Sequence, residues 1–170
     1  MSEYRLHCLG ESGNCYKVAL MLQVCGLPWT PVFVDYFGGE TRGDAYRESR
    51  NELGEVPMLE AEGMQLTQSG VILTWLAQKT GRFGGSNEAE RLEVLRWILF
   101  DNHKFTSYYA TLRWLVGIQK QADPAVVEFL RGRVLGAFAI VDKHLSSRAF
   151  LLGDEPTIAD FSLVGYHYYD

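Results

Sequence analysis

Cysteine is scarce. Three occur in 170 residues (Cys8, Cys15 and Cys25), an odd number with no Cys-x-x-Cys spacing. That excludes a disulfide framework and a cysteine zinc cage, and it fits a reducing, cytosolic setting. Long apolar runs are also missing. The longest uncharged stretch, Val18 to Val34, is interrupted by Gly26-Leu27-Pro28, and nothing reaches the ~20 apolar residues of a membrane span. The opening Met1-Ser2-Glu3-Tyr4-Arg5 leads into a strand-like run rather than the apolar core of a secretory leader. Positive charge is in deficit: the formal charge is −5, with 7 basic against 10 acidic residues before Gly84 and 9 against 11 after it. Neither half therefore offers the basic surface that nucleic acid or an anionic membrane requires. His7, His103, His144 and His167 are scattered, with no pair at metal-ligand spacing, so no metal site is expected.

What is present suffices for a core. Hydrophobic residues make up 47% and aromatic residues 13% of the chain, which places it among globular proteins of one ordinary domain or two small ones. The first eighty residues alternate strand and helix signals. Tyr4 to Leu9 puts Tyr4, Leu6 and Cys8 on one face and Arg5 and His7 on the other, as a half-buried strand does. Ser12-Gly13-Asn14 supplies turn and cap chemistry before a helix from Cys15 to Cys25, which Gly26-Leu27-Pro28 stops. Thr30 to Asp35 reads as a second strand carried by Trp29, Val32, Phe33 and Val34, and Phe37 to Asn51 as an exposed loop with a short helix. Met58-Leu59-Glu60 and Met64-Gln65-Leu66 flank Ala61-Glu62-Gly63 as a hairpin, followed by a helix from Ser69 or Gly70 to Gln78. This order predicts a small α/β layer mixing a parallel pair with an antiparallel hairpin.

Beyond a linker at 81–87 the pattern turns helical. Leu92, Leu95, Ile98 and Leu99 predict one helix over Glu88 to Val116, and Val127, Leu130, Val134, Leu135, Phe138 and Val141 predict another from Asp123-Pro124 to Leu145. Thr157-Ile158-Ala159-Asp160 is a capping box that opens a last helix. That apolar helix ends at Asp170 without a stop signal, so the natural protein is expected to extend further. Residues 1–80 and 88–170 are thus expected as two domains.

Three places carry candidate chemistry. At Ser12 to Val18 a helix N-terminus offers unpaired N–H groups and about half a positive charge, which favours an anion or a thiolate. A Ser12 hydroxyl there either donates to a sulfur or serves only as a cap. At Gly54-Glu55-Val56-Pro57 a proline before a strand is a place for a cis peptide that exposes the Val56 backbone. At Gln68-Ser69-Gly70 a second helix start either binds a carboxylate through Ser69 and its amides or is only capped by Ser69.

Together these motifs resemble a known family. S-x-N-x-x-K-V from Ser12, G-x-V-P-x-L from Gly54, Q-S-G-x-I-x-x-W-L from Gln68, and the Thr157 capping box after Phe150-Leu151-Leu152-Gly153-Asp154 occur in the order found in the soluble glutathione transferases. The resemblance implies an α/β thioredoxin-like N-terminal domain that binds glutathione, and an all-α C-terminal domain that receives a small hydrophobic electrophile. It implies glutathione as cosubstrate with no prosthetic group, and a homodimer in which Gln78, Arg91 and Trp97 face the partner. By resemblance to serine-type members, Ser12 binds the glutathione sulfur, with Asn14 and Cys15 as rivals. Val56 pairs its backbone with the cysteinyl backbone across a cis bond to Pro57. Gln68 and Ser69 hold the γ-glutamyl end, and Tyr108 and Tyr109 line the electrophile pocket. Two positions depart from the pattern. Glu55 stands where a Lys or Gln often assists a glutathione carboxylate, so it would repel one unless Arg42 or Arg47 compensates. Gln68 stands where many members carry glutamate. The alternatives are a transferase-like interaction module, which Glu55 favours, and a thiol transferase acting through Cys15.

Overall fold

The structure is a computed structural model that describes residues 4–169. The chain divides into two compact units, one ending at Arg82 and the other beginning at Phe83. In the first, strand β1 (Tyr4–Cys8) leads through helix α1 (Gly13–Val24) to β2 (Trp29–Phe33). A short helix α2 (Asp44–Ser49) then precedes the hairpin β3 (Met58–Ala61) and β4 (Met64–Thr67), and helix α3 (Ser69–Thr80) closes the unit. The sheet order is β2-β1-β3-β4, with β1 parallel to β2 and antiparallel to β3. This is the predicted mixture of a crossover and a hairpin.

Local chemistry accounts for the helix boundaries. The Ser12 side chain accepts from the Cys15 amide at 3.2 Å and so caps α1. At the other end Gly26 adopts φ +68°, and the amides of Gly26 and Leu27 return to the carbonyls of Gln23 and Leu22, both at 3.0 Å. That paired closure needs the left-handed conformation glycine adopts without steric cost. The core forms where Leu6 and Leu59, opposite each other in register, meet Val18, Met21 and Leu22 of α1 and Ile72, Leu73 and Leu76 of α3, all fully buried. Each such side chain contributes roughly 1.5–3 kcal/mol.

Two expectations for this sheet change. β2 is an edge strand: Val34 just beyond it is buried, but Phe33 is 74% exposed. His7, assigned to the exposed face, is buried, and its Nε2 lies 3.0 Å from Glu60 Oε1. Glu60 also accepts from Arg5 at 3.0 Å and Arg50 at 2.6 Å. A buried imidazole is tolerated because that carboxylate satisfies it. Burial pushes the His7 pKa below its ordinary value of 6.5; Glu60 opposes the shift, and Arg50 and Arg5 add to it. The unfolded chain therefore binds a proton that the fold rejects. Stability from His7 is complete above about 6.5 and falls as pH drops below that value toward the folded pKa. Urea midpoints of wild type should rise between pH 5 and 7 more steeply than those of His7→Gln; equal slopes would remove the assignment.

The second unit is helical: α4 (Glu88–Phe100), α5 (Thr106–Arg113), α6 (Pro124–Leu145) and α7 (Ile158–Leu163). The helix expected over Glu88 to Val116 is interrupted by a widened π-helical turn at Asp101–Phe105, and a second such turn follows at Trp114–Gln119. Asp101 is fully buried and accepts from the Thr106 and Ser162 hydroxyls, each at 2.6 Å. The widened turn carries a carboxylate that regular spacing would have marked as surface. The apolar stripe of α4 is also corrected, because Val94, Trp97 and Ile98 are buried whereas Leu92, Leu95 and Leu99 are exposed. Trp97, expected to face a partner subunit, is inside this unit. In α6, Leu130, Val134 and Val141 are buried as expected, but Leu135 is exposed. Among the described residues no helix is long and apolar enough to cross a membrane.

Candidate functional site

Three segments of the first unit converge. The N-terminus of α1 meets that of α3 through Ser69 Oγ, which donates to Asn14 Oδ1 at 3.4 Å. The loop before β3 meets α3 through Gln68 Nε2, which donates to Glu55 Oε2 at 2.9 Å. Contacts separated by 55 and 13 residues in sequence thus bring Ser12, Asn14, Glu55, Val56, Pro57, Gln68 and Ser69 to one corner of the sheet.

The loop is held by residues that the sequence did not single out. Tyr46 Oη and Asn51 Nδ2 both donate to the Glu55 carbonyl, at 3.1 and 3.0 Å. Gly54 has φ +67°, and a Cβ there would stand 2.6 Å from both the Thr41 carbonyl oxygen and Arg47 Nη2. Only glycine fits, and no local pattern announces that a backbone and a guanidinium will close on it. The Val56-Pro57 peptide is cis, and Val56 is half-buried.

The two helix starts differ. At α1 the Ser12 oxygen is engaged by the Cys15 amide, and the side chain is half-buried. At α3 no side chain caps the helix, so its first amides are open to an acceptor. Gln68, just before them, has φ +66°, a region that costs a non-glycine residue about 1–3 kcal/mol and is concentrated at ligand sites. Asn14 Oδ1 takes the Ser69 hydroxyl, and among the described residues its Nδ2 hydrogens are unclaimed.

Cys15 is 3% exposed, and its thiol is pushed up to about 12 by burial, against hydrogen bonds from Ser12 and Leu9 that pull the other way. A thiol transferase needs an accessible, acidified thiol. The burial of Cys15 counts against that mechanism.

Tyr108 and Tyr109 lie on α5 in the second unit. Arg133 stands 5.9 Å over the Tyr108 ring. The Tyr109 ring packs against Phe105, Phe138 and Tyr166, and its hydroxyl donates to the Tyr169 carbonyl. Tyr109 thus packs within its unit, as aromatic residues at helical spacing commonly do. Among the described residues no group of acidic, histidine or cysteine side chains is arranged to hold a metal.

Comparison with known families matches residues 6–86 to the glutathione S-transferase N-terminal domain and residues 124–166 to the glutathione S-transferase C-terminal domain. A glutathione S-transferase from Pseudomonas fluorescens superposes with a TM-score of 0.88 at 34% identity, over 96% of this chain and 82% of that one. The chain belongs to the glutathione S-transferase family. A maleylacetoacetate isomerase from Rhizobium meliloti is 30% identical over 91% of this transferase-family chain and 75% of its own length. An elongation factor 1-gamma from Artemia salina is 28% identical, but this chain spans only 36% of it. Family membership accounts for the mixed sheet and the helical unit together.

Proposed function

We propose that this protein is a glutathione transferase that binds glutathione at the corner formed by α1, the Val56 loop and α3, and activates its thiol for attack on a small electrophile or peroxide. The observation that carries the reading is the convergence of Ser12, Asn14, the Val56 backbone and the uncapped start of α3 within one unit of a glutathione S-transferase fold. The relatives named as a transferase and as an isomerase support it.

The chemistry follows from the thiol. At an ordinary pKa of about 8.5 only ~3% is thiolate at pH 7. Lowering the pKa by about two units takes about 2.7 kcal/mol and gives roughly 75% thiolate. The Ser12 hydroxyl, capping a helix whose N-terminus is partly positive, supplies a charge-assisted bond of about 1.5–3 kcal/mol. The Val56 backbone pairs with the cysteinyl backbone, while Ser69 and the α3 amides take the γ-glutamyl carboxylate. Ser69 is available for this because its bond to Asn14 is long at 3.4 Å. The thiolate forms a C–S bond as the electrophile's leaving group departs with its electron pair, or with a peroxide it forms an S–O bond as the O–O bond breaks and the departing oxygen takes a proton from water; the protein contributes activation and proximity. Within the helical unit, Tyr108 is half-buried and stays a candidate for contact with the electrophile.

Addition of glutathione at pH 7 should produce the ultraviolet difference absorbance of a thiolate. Binding without that signal would remove thiol activation. No binding would favour a module that kept the fold for interaction with other proteins. The protein is expected to be a homodimer, with Leu92, Leu95 and Leu99 on α4 and Val71 on α3 exposed for a partner; sedimentation as a monomer would remove that part.

A further inference from the structure

Helix α2 has six residues, too few to hold their place by their own backbone bonds, and Tyr46 is its one buried side chain. Yet α2 and the residues just after it hold the loop that carries Val56. Tyr46 Oη and Asn51 Nδ2 converge on the Glu55 carbonyl, and Arg47 Nη1 donates to the Glu52 carbonyl at 2.8 Å. The side-chain and backbone oxygens of Asn51 accept from the amides of Leu53 and Gly54, at 3.1 and 2.9 Å. The sheet gives this loop no ladder, because the pairing of β3 begins at Met58.

The charge that moors α2 to the sheet is carried by Arg50, the residue at its C-terminal cap. Its Nη1 donates to Glu60 Oε1 at 2.6 Å. Glu60 is a fixed post: it lies inside β3, in register with Arg5 of β1 on one side and Gln65 of β4 on the other. Arg5 and His7, both on β1, steady its carboxylate at 3.0 Å each. The third donor reaches in from α2. Arg50 precedes Asn51 directly, and its amide returns to the Tyr46 carbonyl at 2.8 Å. The arginine that grips the sheet is therefore tied to both residues that hold the Glu55 carbonyl.

We infer that Arg50, gripping Glu60, is a positioning residue that sets the Val56 loop in the shape that receives a ligand backbone. The path runs from the Glu60 carboxylate through Arg50 to Tyr46 and Asn51, and from them to the Glu55 carbonyl, one peptide away from Val56. That the ligand is glutathione rests on the reading above; that the ion pair sets the loop rests on these contacts alone. Without the pair the loop holds its receiving shape for a smaller fraction of the time, and the apparent affinity falls with that fraction.

The test is hydrogen exchange of the ligand-free protein, with calorimetric titration of glutathione, on wild type, Arg50→Gln and Arg50→Lys. Arg50 is exposed, so both variants should fold. In Arg50→Gln the Leu53 and Gly54 amides should exchange about fivefold faster, the scale of a partly exposed ion pair. The amides of α1 and α3 should keep their wild-type protection. The Kd for glutathione should rise about twofold to fivefold. Arg50→Lys keeps the charge and should recover most of both effects. Unchanged exchange at Leu53 and Gly54 would overturn the inference. So would exchange that quickens equally in α1 and α3, because the pair would then only stabilise the whole unit. A faster loop with an unchanged Kd would also overturn it, since the loop would not limit binding. If wild type binds no glutathione, the glutathione reading falls by itself, and exchange confined to the loop still establishes Arg50 as the residue that sets it.

Discussion

Replacing Ser12 by alanine is expected to lower the rate of conjugation at pH 7 by about tenfold to a hundredfold, with little change in the affinity for glutathione. The magnitude is that of one hydrogen bond to a charged acceptor, about 1.5–3 kcal/mol. It appears in the rate because the bond is strongest to the thiolate, the form that reacts. The thiol pKa read from the pH dependence of the rate should rise by about one to two units. Ser12 also caps α1, and its loss removes the acceptor for the Cys15 amide, so the variant should be less stable by about 1 kcal/mol. Threonine at the same place retains both the cap and the hydroxyl. A normal pKa in Ser12→Thr with a raised one in Ser12→Ala therefore isolates the hydroxyl. If the rate and pKa of Ser12→Ala are unchanged, sulfur activation passes to Asn14, whose Nδ2 hydrogens are unclaimed among the described residues, and Asn14→Ala should then show the effect.

The part of this site that was legible in sequence is the part made of local signals. A cap residue before a helix, a proline before a strand and a polar pair before another helix each announce themselves within a few residues. What assembles them is not local. Asn14 and Ser69 are 55 residues apart and Glu55 and Gln68 are 13 apart; in sequence, Glu55 and Gln68 look like two separate defects. In space they are one hydrogen-bonded pair, and the apparent defect becomes a fixed carboxylate. Gly54 is similar, since the requirement for glycine comes from Thr41 and Arg47 closing around it.

The helical half shows a different limit. Periodicity reports that a helix has apolar positions but not which of them meet their own unit. Leu92, Leu95 and Leu99 lie at spacings of three and four, yet it is Val94, Trp97 and Ile98 that are buried. Packing within this unit therefore does not account for that row of leucines. Asp101 fails for another reason. A charged residue in a helix reads as solvated, and the hydroxyls of Thr106 and Ser162, the latter 61 residues away, help to make its burial tolerable.

Asp160→Ala is expected to destabilise the helical unit by about 3 kcal/mol, more than the loss of an ordinary cap. Its carboxylate accepts three hydrogen bonds: from the Leu151 amide at 2.8 Å, the Thr157 amide at 2.8 Å and the Thr157 hydroxyl at 3.1 Å. Leu151 and Thr157 are buried, so the truncated side chain strands two amides away from water. The helix they start, α7, has six residues, too few to persist without tertiary support. It carries buried Ile158, Phe161 and Leu163, and its Ser162 hydroxyl satisfies buried Asp101 at 2.6 Å. Loss of the cap therefore loosens the core and the Asp101 network together. The midpoint of thermal unfolding should fall by about 6–12 °C, at roughly 2–4 °C per kcal/mol for a chain of this size. Thr157→Ala removes only the bonds of its own hydroxyl and should cost about 1 kcal/mol. Hydrogen exchange should locate the damage, with protection lost over 150–163 in Asp160→Ala and largely kept over 4–82. Equal midpoints for the two variants would mean that Asp160 acts only through Thr157, and that the bond to Leu151 carries no weight.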